Sequence, residues 1–290
     1  MSLQMHAVAG YVWLTRKRKF TTGAARMLAR PKGSSAPPAR LSARHQVSCR
    51  QVDGFSCWTI APSGRSVERA AVYVHGGAYV NEIVSQHWAL ISRLADAGVR
   101  VEVPIYGLAP QHTYREAYPL LTDVYRRLLD DVAPSAVTLV GDSAGGGLAL
   151  GFAQALPSVE LPQPRRLVLI APWLDLTLDR PATRAAENRD PWLSRSGLVE
   201  AGRAWAGGDD PADPQLSPLN GPLVGLPPID AYIGTRDLFH PDIVLMKQHA
   251  DAEQVPMALA VCHGGVHVYP LTPTPEGRAA SAAIVRQISA

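Results

Sequence analysis

The stretch "AVTLVGDSAGGGLALGF", residues 136–152, begins as a β-branched apolar run and then passes through a glycine, an acid and a serine. It continues as small and apolar residues with helical spacing. It reads as strand, sharp turn, helix. Ser143 is the centre of a G-x-S-x-G pattern formed by Gly141, Asp142, Ser143, Ala144 and Gly145. A serine at the apex of such a turn needs small flanks, because the backbone is strained and neighbouring chain approaches closely. The helix that follows aims its first amides at the serine. The bare pattern is weak, but its place between a strand and a helix is the context this chemistry requires. The bland alternative is a glycine-rich turn that only packs closely against a sheet.

Strands and helices alternate on both sides of this stretch. Upstream, "RHQVSCRQVDGFSCWTIAP" places Asp53 and Gly54 between two alternating β-rich runs, the signal of a tight hairpin. Then come the strand "RAAVYVHGG", the helix "SQHWALISRLADAG" stopped at Gly98, the strand "VRVEVPIY" and the helix "YPLLTDVYRRLLDDV". Downstream, the strand "RRLVLIAPWLDL" leads into a polar, Pro-rich interval from about Leu176 to Pro227, with one helical patch, "SRSGLVEAGRAWAG". The strand "IDAYIG", a helix near "PDIVLMKQHADA", the strand "VPMALAVC" and the helix "PEGRAASAAIVRQIS" complete the series. Alternation of this kind implies an α/β fold, a mostly parallel sheet with helices on both faces.

Ligands of open parallel sheets gather beyond the carboxyl ends of the strands. The residues predicted there are His75 with Gly76 and Gly77, then Ser143, Asp237, and His263 with His267. In "VHGGAYV" the paired glycines let backbone amides turn toward a ligand with no side chain intervening. The candidate oxyanion donors are the amides of Gly77 and Ala78, joined by that of Ala144.

"HGGAYV" lying about 70 residues ahead of "GDSAGGG" resembles the hormone-sensitive-lipase-like branch of the α/β-hydrolases, whose motifs are HGGG and GDSAGG. "YGLAPQHTY" is similar to that family's Y-x-L-A-P-E-x-x-x-P segment and "APWLDLT" to its S-P-x-x-D segment. The resemblance covers roughly residues 65 to 290. It implies an α/β-hydrolase fold with a helical cap, and the chain order serine, acid, histidine. On that order Asp237 in "YIGTRDLF" is the acid, with Asp242 as its rival. In "AVCHGGVHVYP" the family's G-x-x-H-type loop is matched by Gly264, Gly265, Val266 and His267, which leaves His263 a structural role. The resemblance divides the chain into a cap segment at 1–50, core at 51–176, a cap insertion at 177–225 and core at 226–290. It implies a serine carboxylesterase acting on short-chain acyl esters, with an acyl-enzyme on Ser143. Amide chemistry by the same residues, such as deacetylation, and a non-catalytic ligand receptor on the same fold are the alternatives. A receptor would be expected to lack a triad member, and His267 is present.

Three positions depart from the family pattern. Ala78 replaces the last glycine of HGGG, and its amide serves the hole if Ala78 avoids positive φ. Gln111 stands where glutamate is usual, and Gly107 where a larger residue is common. Trp192 and Trp205 in the insertion are pocket or packing aromatics, as are Trp13, Tyr79 and Tyr269.

The totals narrow the field further. A chain of 290 residues with 47% hydrophobic content has material for one large core. The net charge is +3, but basic residues concentrate in the first 50 positions, as in "TRKRKF" and "LARPKG", so no general nucleic-acid surface is expected. Cys49, Cys57 and Cys262 are too few for a disulfide framework, which points to a reducing cytoplasm. "AVAGYVWL" is too short to span a bilayer and its charges follow the apolar run, unlike a signal peptide; it reads as an amphipathic helix, with a weak membrane-surface contact as the lesser alternative. No H-E-x-x-H motif occurs, no lysine follows the glycines as in a phosphate loop, and no G-x-G-x-x-G opens a helix, so neither metal nor cofactor is expected. The expected partner is a small ester.

Overall fold

A computed structural model describes residues 1–17, 28–64 and 67–290. The end of the basic run "TRKRKF" and part of the expected N-terminal cap lie outside the described residues. Eight strands form one sheet: β1 (His45–Val52), β2 (Phe55–Pro62), β3 (Arg69–Val74), β4 (Val99–Pro104), β5 (Val137–Asp142), β6 (Arg166–Ile170), β7 (Ile229–Gly234) and β8 (Met257–Cys262). Their order is β1-β2-β4-β3-β5-β6-β7-β8. β2 pairs antiparallel with β1 and β4, and all pairs from β4 to β8 are parallel.

Local chemistry accounts for much of this. Val52 pairs with Phe55 across Asp53 and Gly54, whose φ values of +49° and +83° are those a two-residue hairpin turn demands. All six residues of β5 are buried, as expected of a central parallel strand covered on both faces. Among the described residues, the α-helices of six residues or more are α1 (Leu3–Val12), α2 (Ser85–Asp96), α3 (Tyr114–Leu129), α4 (Ala144–Ala155), α5 (Pro181–Ala186), α6 (Arg195–Ala206), α7 (His240–Ala252) and α8 (Pro275–Ser289).

β3 lies between β4 and β5. The chain therefore leaves β3 in one direction to build β4 and returns past it to build β5. Right-handed crossovers then place α2 on one face of the sheet and α3 and α4 on the other. α8 packs on α2 and β3 and shares the face of α2. The connections after β3 and β5 diverge at this switch point, where open α/β sheets leave their crevice.

The elements differ most from the sequence reading in four places. α3 begins at Tyr114 rather than Tyr118. Its start is a capping box in which Thr113 Oγ1 accepts from Arg115 N (3.3 Å) while Glu116 Oε2 accepts from Thr113 N (3.0 Å), and Pro119 is carried inside the helix. β6 stops at Ile170, because Ala171 takes a φ of +46° ahead of Pro172. The insertion holds two helices, α5 and α6, where one was expected. α1 buries Met5, Ala9 and Val12 yet leaves Leu3, Tyr11, Trp13 and Leu14 near it exposed, so it is apolar on both sides rather than amphipathic. Among the described residues, no helix is long and apolar enough to cross a membrane.

Candidate active site

Ser143 stands between β5 and α4 with φ +52° and ψ −123°. Its carbonyl accepts from Gly146 N, Gly147 N and Trp173 N, and its amide donates to Ile170 O at 2.9 Å, so the turn is held from several sides. A Cβ on Gly145 would stand 2.1 Å from Val74 O and 2.4 Å from His75 O. The small residues of the motif are therefore the condition for α4 to approach the end of β3.

The structure brings Ser143, His267 and Asp237 into one hydrogen-bonded line. His267 Nε2 lies 2.9 Å from Ser143 Oγ, and its Nδ1 lies 2.8 Å from Asp237 Oδ2. Nδ1–H donates to the carboxylate, which leaves Nε2 to accept from the serine hydroxyl. Asp237 Oδ1 accepts from Phe239 N at 3.0 Å. The two loops are bound to each other, since Arg236 N donates to Gly265 O (3.1 Å) and Gly264 N to Thr235 Oγ1 (2.8 Å). His267 is buried, and burial alone would push its pKa down; the charge and hydrogen bond of Asp237, with Asp190 and Asp142 beyond, outweigh this and raise it.

The rivals lie elsewhere. His263 is exposed. Asp242 accepts from Thr183 Oγ1 at 2.8 Å, with Arg180 nearby at 3.8 Å, and burial raises its pKa to about 6.

Gly77, Ala78 and Tyr79 have φ values of +131°, +55° and +61°. Ala78 therefore adopts the positive φ that the sequence reading required it to avoid, yet its amide keeps no acceptor among the described residues, so the condition placed on φ was mistaken. The loop pays for this with bonds to its neighbours: Gly77 O accepts from Val80 N, Asn81 N and Asn81 Nδ2 at 2.9–3.1 Å. Tyr79 Oη donates to Ala144 O at 2.8 Å. The amides of Gly77, Ala78 and Ala144 have no hydrogen-bond acceptor among the described residues. Asp142, inside the serine motif, ties this loop down: Oδ1 accepts from Tyr73 Oη (2.9 Å) and Gly76 N (3.0 Å), and Oδ2 from His87 Nε2 (3.1 Å). The His87 proton is on Nε2, because Nδ1 accepts from Val84 N. Burial would raise the pKa of Asp142, but His87, Tyr73 and Gly76 together lower it.

A hydrolase-fold family model, described as the alpha/beta hydrolase fold, matches residues 71–271. The chain belongs to the α/β-hydrolase family. Among relatives of this α/β-hydrolase, LipR of Mycobacterium tuberculosis, which carries an acetyl-hydrolase name, is 39% identical over 61% of this chain and 58% of its own. An acetyl-hydrolase of Streptomyces hygroscopicus is 34% identical over 73% of this chain and 72% of its own. The chain thus spans less than two thirds of LipR and more than two thirds of the Streptomyces protein. A crystal structure of an esterase from the bacterial hormone-sensitive lipase family superposes with a TM-score of 0.83 at 27% identity, covering 100% of this chain and 98% of that one. The hormone-sensitive-lipase-like resemblance is matched by that neighbour.

Other positions of this α/β-hydrolase also find their places. At Gly107 a Cβ would meet the His112 ring at 2.3 Å, so the neighbouring histidine, edge-on to Phe55, fills the room a larger residue would need. Gln111 is exposed and lines a cavity of about 750 Å³ beside His75, Tyr106 and Phe55, whose lining includes neither Ser143 nor His267. Trp205 is packing, stacked on Tyr79 at 4.4 Å and fully buried. Trp192 is half-buried and sets its ring edge-on to His267 at 5.7 Å. Tyr79 and Tyr269 are buried, while Trp13 is exposed. Sequence reasoning missed Asp190, a buried acid two residues before Trp192. Its signal was the Asp-Pro pair in "RDPW", a turn initiator whose acid bonds a backbone amide two residues on.

Proposed function

We propose that this chain is a serine carboxylesterase hydrolysing short-chain acyl esters through an acyl-enzyme on Ser143. The observation that carries the reading is the line Asp237–His267–Ser143, closed by hydrogen bonds of 2.8 and 2.9 Å beside three amides without acceptors. His267 takes the Ser143 proton as Oγ attacks the ester carbonyl, then returns it to the departing alcohol. Asp237 holds the tautomer and balances the imidazolium. The amides of Gly77, Ala78 and Ala144 receive the oxyanion, and one such donor is worth about 3 kcal/mol in the transition state. Water then repeats the sequence on the acyl-enzyme.

Support for a small acyl group comes from the relatives' names: acetyl-hydrolase in Streptomyces hygroscopicus and ethyl acetate hydrolase in Pseudomonas putida, the latter 31% identical over 68% of this chain. Residues 1–50 and 177–225 serve in this reading as the cap over the strand ends. Two contacts support that role: Trp192 against His267, and the Lys17 ammonium donating to the carbonyls of Glu187, Asp190 and Leu193.

The test is a p-nitrophenyl ester series from acetyl to dodecanoyl with Ser143→Ala in parallel. Turnover peaks at short acyl chains and falls at least ~10⁴-fold in the variant. Without turnover, organophosphonate labelling of Ser143 in the parent would redirect the reading to amides. Absence of both would leave a receptor.

A further inference from the structure

We propose that Asp190 is a positioning residue for the Asp237–His267 pair: reaching in from the β6–β7 insertion, its carboxylate holds the turn that aims Asp237 and sets a second negative charge before the histidine. The proposal rests on the esterase reading above.

The geometry is specific. Asp190 is only 3% exposed. Its Oδ1 accepts from Trp192 N (2.6 Å) and Leu193 N (2.8 Å), and its Oδ2 from Leu238 N (2.7 Å). Leu238 directly follows Asp237, and the next amide, that of Phe239, goes to Asp237 itself. Consecutive amides of one turn are thus shared between the two acids. Oδ2 fixes the turn carrying Asp237, while Oδ1 fixes the Trp192 backbone, whose ring packs T-shaped against His267. A side chain facing three N–H donors must be acceptor-only, and an ionised carboxylate is.

A neutral tie would spare the cost of a second buried acid. Burial, and then the charge of Asp237, raise the pKa of Asp190 to about 6, while the imidazolium of His267 acts the other way. Reciprocally, Asp190 helps Asp237 keep His267 basic. The other charges around this group are Asp142 beyond the imidazole, His240 and Arg189 on the Asp237 side, Glu187 on Arg195 N, and the Lys17 ammonium on the carbonyls of the Asp190 loop. When His267 takes the serine proton, the new cation therefore faces two nearby carboxylates, an interaction stronger in the transition state than before it.

The experiment compares the parent with Asp190→Asn and Asp190→Glu. It follows the pH profile of kcat/KM on p-nitrophenyl butyrate and the His267 imidazole titration by NMR. In Asp190→Asn both midpoints fall by about half to one pH unit and kcat drops about tenfold, whereas Asp190→Glu keeps the parental midpoint. A loss of kcat or of thermal stability with the midpoints unmoved assigns Asp190 to structure alone and overturns the proposal, as does an unchanged kcat. Should Asp190→Asn fail to fold, Asp190→Ser, a smaller neutral acceptor, is read the same way. The NMR titration needs no turnover, so an inactive parent would sink the esterase reading while the charge of Asp190 on His267 is still measured.

Discussion

At Ser143 the backbone stands at φ +52° and ψ −123°, a conformation that a residue with a side chain keeps only when its surroundings over-determine it. Here the surroundings are backbone: the carbonyls of Val74 and His75 close on Gly145, leaving no room for a methyl group. Gly145→Ala is therefore expected to destabilise the fold by several kcal/mol, about the upper end of overpacking costs, because no flexible side chain is there to yield. A urea titration of purified protein measures it, and a midpoint within error of the parent would contradict the packing argument. Much at this scale was legible beforehand, since G-x-S-x-G between a strand and a helix allows little besides a tight elbow. Ala78 was not. A glycine is replaced there by a residue that nevertheless takes φ +55°, and the conformation is held by the bonds of Gly77 O and Tyr79 Oη, partners that its neighbours in sequence do not announce.

The strands and helices show how far local signals reach. β7 and α8 have the bounds read from the sequence, because each is bracketed by strong turn residues and a single periodicity. α3 was read as starting at Tyr118, while the box at Thr113 and Glu116 begins it at Tyr114. Thr113→Ala removes the cap, so thermal unfolding should report a loss of about 1 kcal/mol with kcat on p-nitrophenyl butyrate unchanged. An unaffected melting temperature would mean that packing of α3 on the sheet, and not its cap, sets that end. The insertion was read as polar interval with one helix. Its short α5 has too few turns for a periodic pattern to stand out.

Across the whole molecule the candidate site draws charge from distant parts of the chain: Asp142 after β3 and β5 have paired, Asp190 from the insertion, and Asp237 from the end of β7. Together they raise the pKa of His267 above the ordinary 6.5. In the proposed mechanism His267 acts as a neutral base, so kcat/KM is expected to fall as pH drops through a midpoint above 6.5. The sign for stability is opposite: the raised value contributes stability that is full below 6.5 and is lost as pH rises through the folded value. A pH–rate profile with its acid limb below 6.5 would contradict this balance of charges. The alternation of elements, the hairpin at Asp53 and Gly54 and the elbow serine could be read from the sequence, because strand and helix periods, turn φ values and the strand–turn–helix context are local properties, while the order of acid and histidine was what the family resemblance implied. Which tryptophan packs and which one meets the imidazole, how Ala78 is held, and the arrival of Asp190 beside Asp237 were decided only by the tertiary structure. These depend on which carbonyls, amides and rings meet across elements far apart in the chain, and no local pattern encodes that meeting.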